Sequence, residues 1–441
     1  MKTFSNSLSL FLLLFFSLFS VTCLPARAQD AINEPQQTNI NENSGPLGLV
    51  STLSERNYLL GSWDGKRFAK EDSGLSLELV YTGDMVTNHR GGLKRGTTYL
   101  GNIDLTATLD TEKAGLWERG TFFVYILNNH GGTPTKTHIG DLQTVSNIET
   151  EEATRFYELW YEHLFDWHGT LSFLIGQHDM NSEFNVTEYG GLFINSSFGI
   201  QPDISANAPV SIFSVAAPAL RLKWETNGPL YLMAAIYDGD PGAPGKNKSG
   251  LRWRISSDEG AMTIYEIGYR RGESEKSQNL HGTYKLGLWY HTDEFDDIAA
   301  TDTNGNPKEH EGNYGLYFVA DQMLIPAEDD RGLGVFLQMG MAPDDRNQVD
   351  FYIGGGLHYH GLIPGRHRDT IGLGIAHASI SDKLRRDAAM DKYETTVELT
   401  YRAQITPWLV LQPDLQIIFN PGAAQGTKNA IVSLLRFEAS F

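Results

Sequence analysis

The sequence predicts an all-β protein, a transmembrane antiparallel β-barrel of about sixteen strands with an inward-folded constriction loop. Three observations lead there. From Leu75 to Phe441 the apolar residues recur with period two, and no sustained period of 3.6 is present. Many of the alternating segments have the ~9–11 residues that a tilted strand needs to cross a bilayer. The last segment sets Ile431, Leu435, Phe437 and the terminal Phe441 on one side against Arg436 and Glu438, and ends on that ring. In hydrocarbon no backbone amide can go unpaired, and closing a sheet on itself removes its edges.

In chain order, Lys2 precedes an apolar stretch from Leu8 to Val21, and Ala26-Arg27-Ala28 supplies the small residues a signal peptidase reads. Residues 1–28 are therefore expected to be a cleaved export signal. The single cysteine, Cys23, leaves with it, so the mature fold must hold together without disulfides. Residues 29–57 are rich in Asn, Gln, Glu and Pro and read as a polar spacer. A short amphipathic piece follows around Ser54 to Ala69, and residues 58–441 are expected to form the barrel domain.

The strands are placed at approximately 75–82, 97–110, 119–129, 153–163, 170–178, 218–226, 229–238, 261–270, 281–291, 312–321, 331–340, 348–360, 368–378, 392–404, 407–419 and 429–441. In the second, Tyr99, Ile103, Leu105 and Leu109 share one side, and Asn102, Asp104, Thr106 and Thr108 the other. In the fourteenth, Tyr393, Val397, Leu399 and Tyr401 oppose Glu394, Thr396, Glu398 and Arg402. A tyrosine near each end of an aliphatic run is the order expected where a strand crosses a hydrocarbon slab. A soluble propeller would need a repeat of blade length, and none is present.

Composition narrows the function. The chain carries 54 acidic against 35 basic residues, a formal charge of -19, which loss of Lys2 and Arg27 would make more negative. That is the wrong sign for a nucleic-acid binder. Beyond the leader no apolar run approaches the ~18 residues of a membrane helix.

Six segments together carry a family likeness: LLGSWDG (Leu59 to Gly65), GGLKRGTTYLGNIDL (Gly91 to Leu105), IGDLQTVSNIE (Ile139 to Glu149), RFYELWYE (Arg155 to Glu162), GQHDMNSEF (Gly176 to Phe184) and GLFINSSFG (Gly191 to Gly199). In this order and spacing they resemble the carbohydrate-selective porins of the OprB type, over essentially residues 58 to 441. The terminal aromatic likewise resembles the assembly signal of outer-membrane barrels. The resemblance implies a sixteen-stranded, trimeric outer-membrane barrel. It also implies passive diffusion of small sugars, monosaccharides, through a constriction lined by charged and aromatic groups. Small sugars, outer-membrane lipid and lipopolysaccharide are the implied partners, with no nucleic acid, no cofactor and no metal; which sugar is preferred stays open.

A barrel of this size leaves an aqueous lumen, so selectivity requires something that narrows it. Residues 179–218 form the longest non-strand stretch and are expected to fold inward, with a surface loop or trimer latch as the alternative. Glu183, Asn195 and Ser196 are its candidate polar contacts. In RFYELWYE, parity turns Arg155, Glu158, Trp160 and Glu162 toward the lumen and Tyr157, Leu159 and Tyr161 outward. A pore-facing indole offers a plane for the C–H face of a sugar while carboxylates and guanidinium groups take the hydroxyls; a girdle role is the alternative for Trp160. Parity also points Arg221, Lys223 and Glu225 inward and Leu220, Leu222 and Trp224 outward. Lys94 and Arg95 lie in the first loop, and Arg270 and Arg402 face the interior near strand ends. These charges either set a transverse field across the pore or neutralise one another along a wet wall.

Other signals lead less far. Of His358, His360 and His367 only the first two share a side, which is too few for a metal site. The segment Asp302 to Asn306 has its glycine out of step with a calcium loop. The glycines at 354–356 read as points of close strand contact. Acidic loops such as Asp293 to Asp297 and Asp344-Asp345 read as solvated outer faces, with divalent cations bridging lipid head groups as the alternative. A general porin without preference remains the alternative transport function. An outer-membrane hydrolase would need Ser, His and an orienting Asn or Asp set together, and no motif does so.

Overall fold

A computed structural model describes residues 53–62, 65–272, 280–326, 331–388 and 390–441. The expected export signal and nearly all of the polar spacer lie outside them. The chain forms β1 (Leu75–Gly92), β2 (Gly96–Asp110), β3 (Gly120–Gly131), β4 (Ala153–Asp166), β5 (Gly169–His178), β6 (Ala217–Thr226), β7 (Leu230–Asp238) and β8 (Ala261–Arg271). It continues with β9 (Gly282–Thr301), β10 (Pro307–Pro326), β11 (Gly332–Met341), β12 (Val349–His360), β13 (Thr370–Ile380), β14 (Tyr393–Thr406), β15 (Leu409–Phe419) and β16 (Lys428–Ser440). Every strand pairs antiparallel with its sequence neighbours, and β1 closes on β16, with Val80 opposite Ser440 and Asn88 opposite Val432. An even strand count brings both ends of the sheet to one rim, the periplasmic one in barrels of this kind.

Burial is inverted relative to a water-soluble protein. Glu394, Glu398, Asp414 and Gln416 are buried, while Leu288, Leu373 and Ile375 are exposed. A sheet that turns its aliphatic face outward needs hydrocarbon there. Near the periplasmic rim Trp117, Tyr161 and Phe122 form an outward aromatic group, and Trp167 packs on Trp224 at 5.4 Å. Rings of that amphipathic kind mark the bilayer boundary.

Three strands run well beyond their expected ends. β1 continues to Gly92, and β9 and β10 extend as a charged hairpin through Thr301 and Pro307. The sequence HTDEFDD against PKEHEG is polar on both sides, so no alternation marks it as strand. Asp302 to Asn306 is the hairpin turn: the Asp302 carboxylate accepts the amides of Asn304 and Asn306, and Gly305 sits at φ 87°.

The apolar core lies inside the barrel, between the wall and two connections that fold in. Met180, Phe184, Ile204 and Val210 pack on Tyr231, Met262, Trp289 and Tyr317 of β7–β10. Tyr189, Phe193 and Phe198 pack on Met323, Phe336, Tyr352 and Ala376 of β10–β13. From the other connection, Ile139 and Val145 pack on Val86, Leu100, Ile418 and Val432. Glycines make the room. A Cβ on Gly374 would lie 2.8 Å from Phe198 and 2.9 Å from Phe193, and one on Gly340 would enter the Asp203 carboxylate. Gly354 and Gly356 are likewise points of close approach, to Tyr352 and Phe336.

At the periplasmic rim the helix α1 (Lys66–Asp72) packs beside the closing strands. Arg67 donates to the Phe441 carbonyl at 2.5 Å and stacks over Tyr58 at 3.8 Å, while the Leu59 amide donates to Ser440.

Candidate functional site

Two segments occupy one side of the lumen. Residues 179–216, between β5 and β6, cross to the far wall and return, as the long connection in the sequence suggested. Residues 132–152, between β3 and β4, also turn inward, and the sequence reading had not singled them out as a loop of this kind. The segments join where the Ser196 amide donates to Thr144 at 3.0 Å and the Asn147 amide donates to Ile194 at 2.8 Å.

Inward carboxylates hold these loops by their backbones. Glu266 accepts the Asn185 amide at 3.0 Å, and Asp321 accepts the Tyr189 amide at 3.0 Å and the Thr187 hydroxyl at 2.6 Å. Glu398 accepts the amides of Ile194 and Asn195 at 2.6 and 3.0 Å. Glu394 does the same for Leu142 and Gln143 at 2.7 and 2.8 Å. Arg436 grips Asp84 through two bonds of 2.8 Å and reaches Asn147 at 2.7 Å, while Ser146 donates to Asp84. Charge-assisted bonds to amides are among the stronger polar contacts, at about 1.5–3 kcal/mol each. Within the shorter loop, burial and then the neighbouring Asp141 push the Glu149 carboxyl up to about 8.

The wall from β3 to β8 carries a polar file that meets the start of the 179–216 loop. Arg221 is enclosed and bonds Glu183 at 2.6 and 3.0 Å and Glu162 at 2.8 Å, with Ser172 also on its guanidinium. Toward the periplasm Lys223 meets Glu225 at 2.8 Å, and Arg270 meets the same carboxylate at 3.0 Å. Above Glu162, Trp160 donates its indole N–H to Glu158 at 2.9 Å and stacks on Phe123 at 4.8 Å. Across β2 and β3, the Tyr125 hydroxyl donates to Asp104.

The residues singled out from sequence thus divide. Glu158, Trp160, Glu162, Arg221 and Lys223 line this wall, Glu183 reaches Arg221 from the 179–216 loop, and Trp160 stands apart from the outward aromatic group. Arg155 is enclosed at the outer rim, its Nη1 donating to Asn129 and its Nη2 to the carbonyls of Glu151 and Pro244. A β-bulge at Tyr157 turns Tyr157 and Glu158 both inward and brings Arg155 to the inner face as well, so that Tyr157, expected outward, is buried against Leu127 and Ala216 instead. Asn195 is buried as a turn residue, capping Ser197 and donating to Gln416. Ser196 belongs to the junction of the two loops, and Arg95 is exposed on the short β1–β2 connection. Arg402 pairs with Glu438 at 2.8 Å. In the outer loops Asp297 bonds His310 at 2.7 Å and Asp345 bonds Arg346 at 2.7 Å, so those carboxylates are partly paired.

Comparison with known proteins gives a consistent result. The sequence model described as "Carbohydrate-selective porin, OprB family" matches residues 94–441. Porin B of Pseudomonas aeruginosa is 27% identical over 442 residues, covering 90% of this chain and 96% of the relative. The putative porin QuiX of Acinetobacter baylyi is 24% identical over 440 residues, covering 90% and 97%. The high-pH structure of Pseudomonas putida OprB superposes with a TM-score of 0.80 at 26% identity, covering 88% of this chain and 99% of that one.

Proposed function

The chain belongs to the carbohydrate-selective porin, OprB family, and is a sugar-selective porin of the outer membrane; on that premise we propose which wall recognises the sugar. Its family and fold are those of a channel rather than an enzyme. The sugar passes along the β3–β8 wall, where the two inward loops act as the constriction. Trp160 offers a stacking plane, and Glu158, Glu162, Glu183, Arg221 and Lys223 exchange hydrogen bonds with hydroxyls. The observation that carries this reading is Trp160 held by Glu158 and Phe123 on the polar side of β4, next to the Glu162–Arg221–Glu183 cluster. Fixed donors and acceptors in a narrow aqueous passage favour a neutral polyhydroxylated solute, because the charges are already mutually neutralised and leave little net attraction for a bare ion.

The test is Trp160→Ala in planar bilayers. Sugar block of the ion current should weaken more than the sugar-free conductance changes. Equal changes in both would make Trp160 a packing residue and remove it from recognition. A homotrimer and contact with lipopolysaccharide at the acidic outer loops belong to the same proposal. The mass of the detergent-extracted assembly, and its co-purification with lipopolysaccharide, decide them.

A further inference from the structure

We infer that the periplasmic end of the lumen holds a second solute subsite, below the constriction, that takes a monosaccharide-sized sugar acid. The inference rests on the porin reading above and concerns a different place. A cavity of about 490 Å³ lies between the underside of the 179–216 loop and the wall at the periplasmic ends of β8, β9 and β12. That is within the ~300–1,000 Å³ usual for small-molecule sites.

Its lining differs from the rest of this strongly acidic chain. Among the described residues, Arg270 and Arg271 both face it, against one carboxylate, Glu188. Arg270 also bonds Glu225 at 3.0 Å and lies 4.8 Å over the Tyr231 ring, which fixes the direction of its guanidinium. Arg271 is exposed at the strand end, so it is the more available partner for an incoming anion. Three imidazoles, of His281, His358 and His360, complete the polar lining and offer ring nitrogens to hydroxyls. Tyr189 lies buried behind this lining and positions two of the imidazoles, packing at 4.5 Å against His358 with its hydroxyl 3.0 Å from His281. A guanidinium recognises a carboxylate by paired N–H bonds, and the imidazoles recognise hydroxyls. A neutral sugar uses only the second of these and an inorganic anion only the first. A sugar acid uses both.

The experiment is current block of the purified channel, inserted in one orientation, by glucuronate and by glucose added separately from each side. Glucuronate added from the periplasmic side should block at roughly tenfold lower concentration than glucose, as one additional charge-assisted contact implies. Arg271→Gln should abolish that advantage while glucose block persists, and His281→Gln should reduce it. Insertion of each variant as an open channel shows that the barrel has assembled. If glucose blocks and glucuronate is no better from either side, the subsite is wrong and the porin reading stands. If the advantage survives Arg271→Gln, the acid binds elsewhere and the inference falls. If neither solute blocks, both readings fall.

Discussion

Removing the positive charge of Arg221 and of Lys223 should have very different consequences for stability, although the residues are two positions apart on one face of β6. Arg221 is 2% exposed, and its guanidinium holds Glu162 and Glu183 together. In Arg221→Met the methionine occupies similar volume, but two carboxylates lose their shared partner. Breaking a fully buried pair by deleting one partner costs about 3–5 kcal/mol. Here the two carboxylates remain 23% and 22% exposed to an aqueous lumen, so water recovers part of the loss. The expected cost is about 2–3 kcal/mol. Lys223 is 25% exposed, and its partner Glu225 is 38% exposed and keeps Arg270. Lys223→Met should therefore cost below about 1 kcal/mol. Urea titration of the refolded proteins in lipid vesicles, followed by tryptophan fluorescence and gel mobility, measures both. Both variants should become more cation-selective in a salt gradient, since each loses one pore cation. Equal stability losses in the two variants would refute the claim that Arg221 is a buried clamp in a wall whose lower part is merely wet.

Other consequences are as direct. Gly374→Leu should disturb the loop without preventing closure, because Phe193 and Phe198 already occupy the space of its Cβ. Overpacking of this kind costs about 1–3 kcal/mol, and it should be read as new protease cleavage within 179–216 and altered conductance. Raising the pH should loosen the 132–152 loop through Glu149. Its folded pKa lies above the ordinary 4.5, so the folded state holds the extra proton, and docking is favoured at low pH and weakens as pH rises through about 8. Glu149→Gln, uncharged throughout, should flatten the pH dependence of protease access to that loop; a wild-type slope in the variant would exclude Glu149 as its source. Glu398→Ala should free the Ile194–Asn195 turn more than Glu398→Gln does, since the amide keeps one acceptor for the two backbone N–H groups.

Strand alternation was legible because lipid imposes it: Leu220, Leu222 and Trp224 against Arg221, Lys223 and Glu225 can be sorted with no other information. Where lipid ends, so does the signal, which is why the charged β9–β10 hairpin was read as shorter than it is. Parity also carried Glu158, Trp160 and Glu162 to the lumen side but misdirected Tyr157, which was expected outward and is buried inside, since one bulged residue shifts the alternation along the strand. The inward loop at 179–216 was legible from length alone. Residues 132–152 are shorter, and what draws them inward is complementarity between their backbone amides and carboxylates such as Glu394, which lies 252 residues from Leu142 in sequence. Backbone donors leave no trace in side-chain patterns. The apolar residues of the loops, Phe193 and Phe198 among them, find their partners in glycines on β13, and a glycine in a strand reads only as a weak point until its neighbour is known.

The central claim is that a wet passage along the β3–β8 wall binds sugar while letting ions through. Titration of glucose and other small sugars into planar bilayers holding the purified mature chain tests it most directly. The ion current should fall saturably as sugar is added, with monosaccharides effective. An open channel whose current is indifferent to every small sugar would contradict the account.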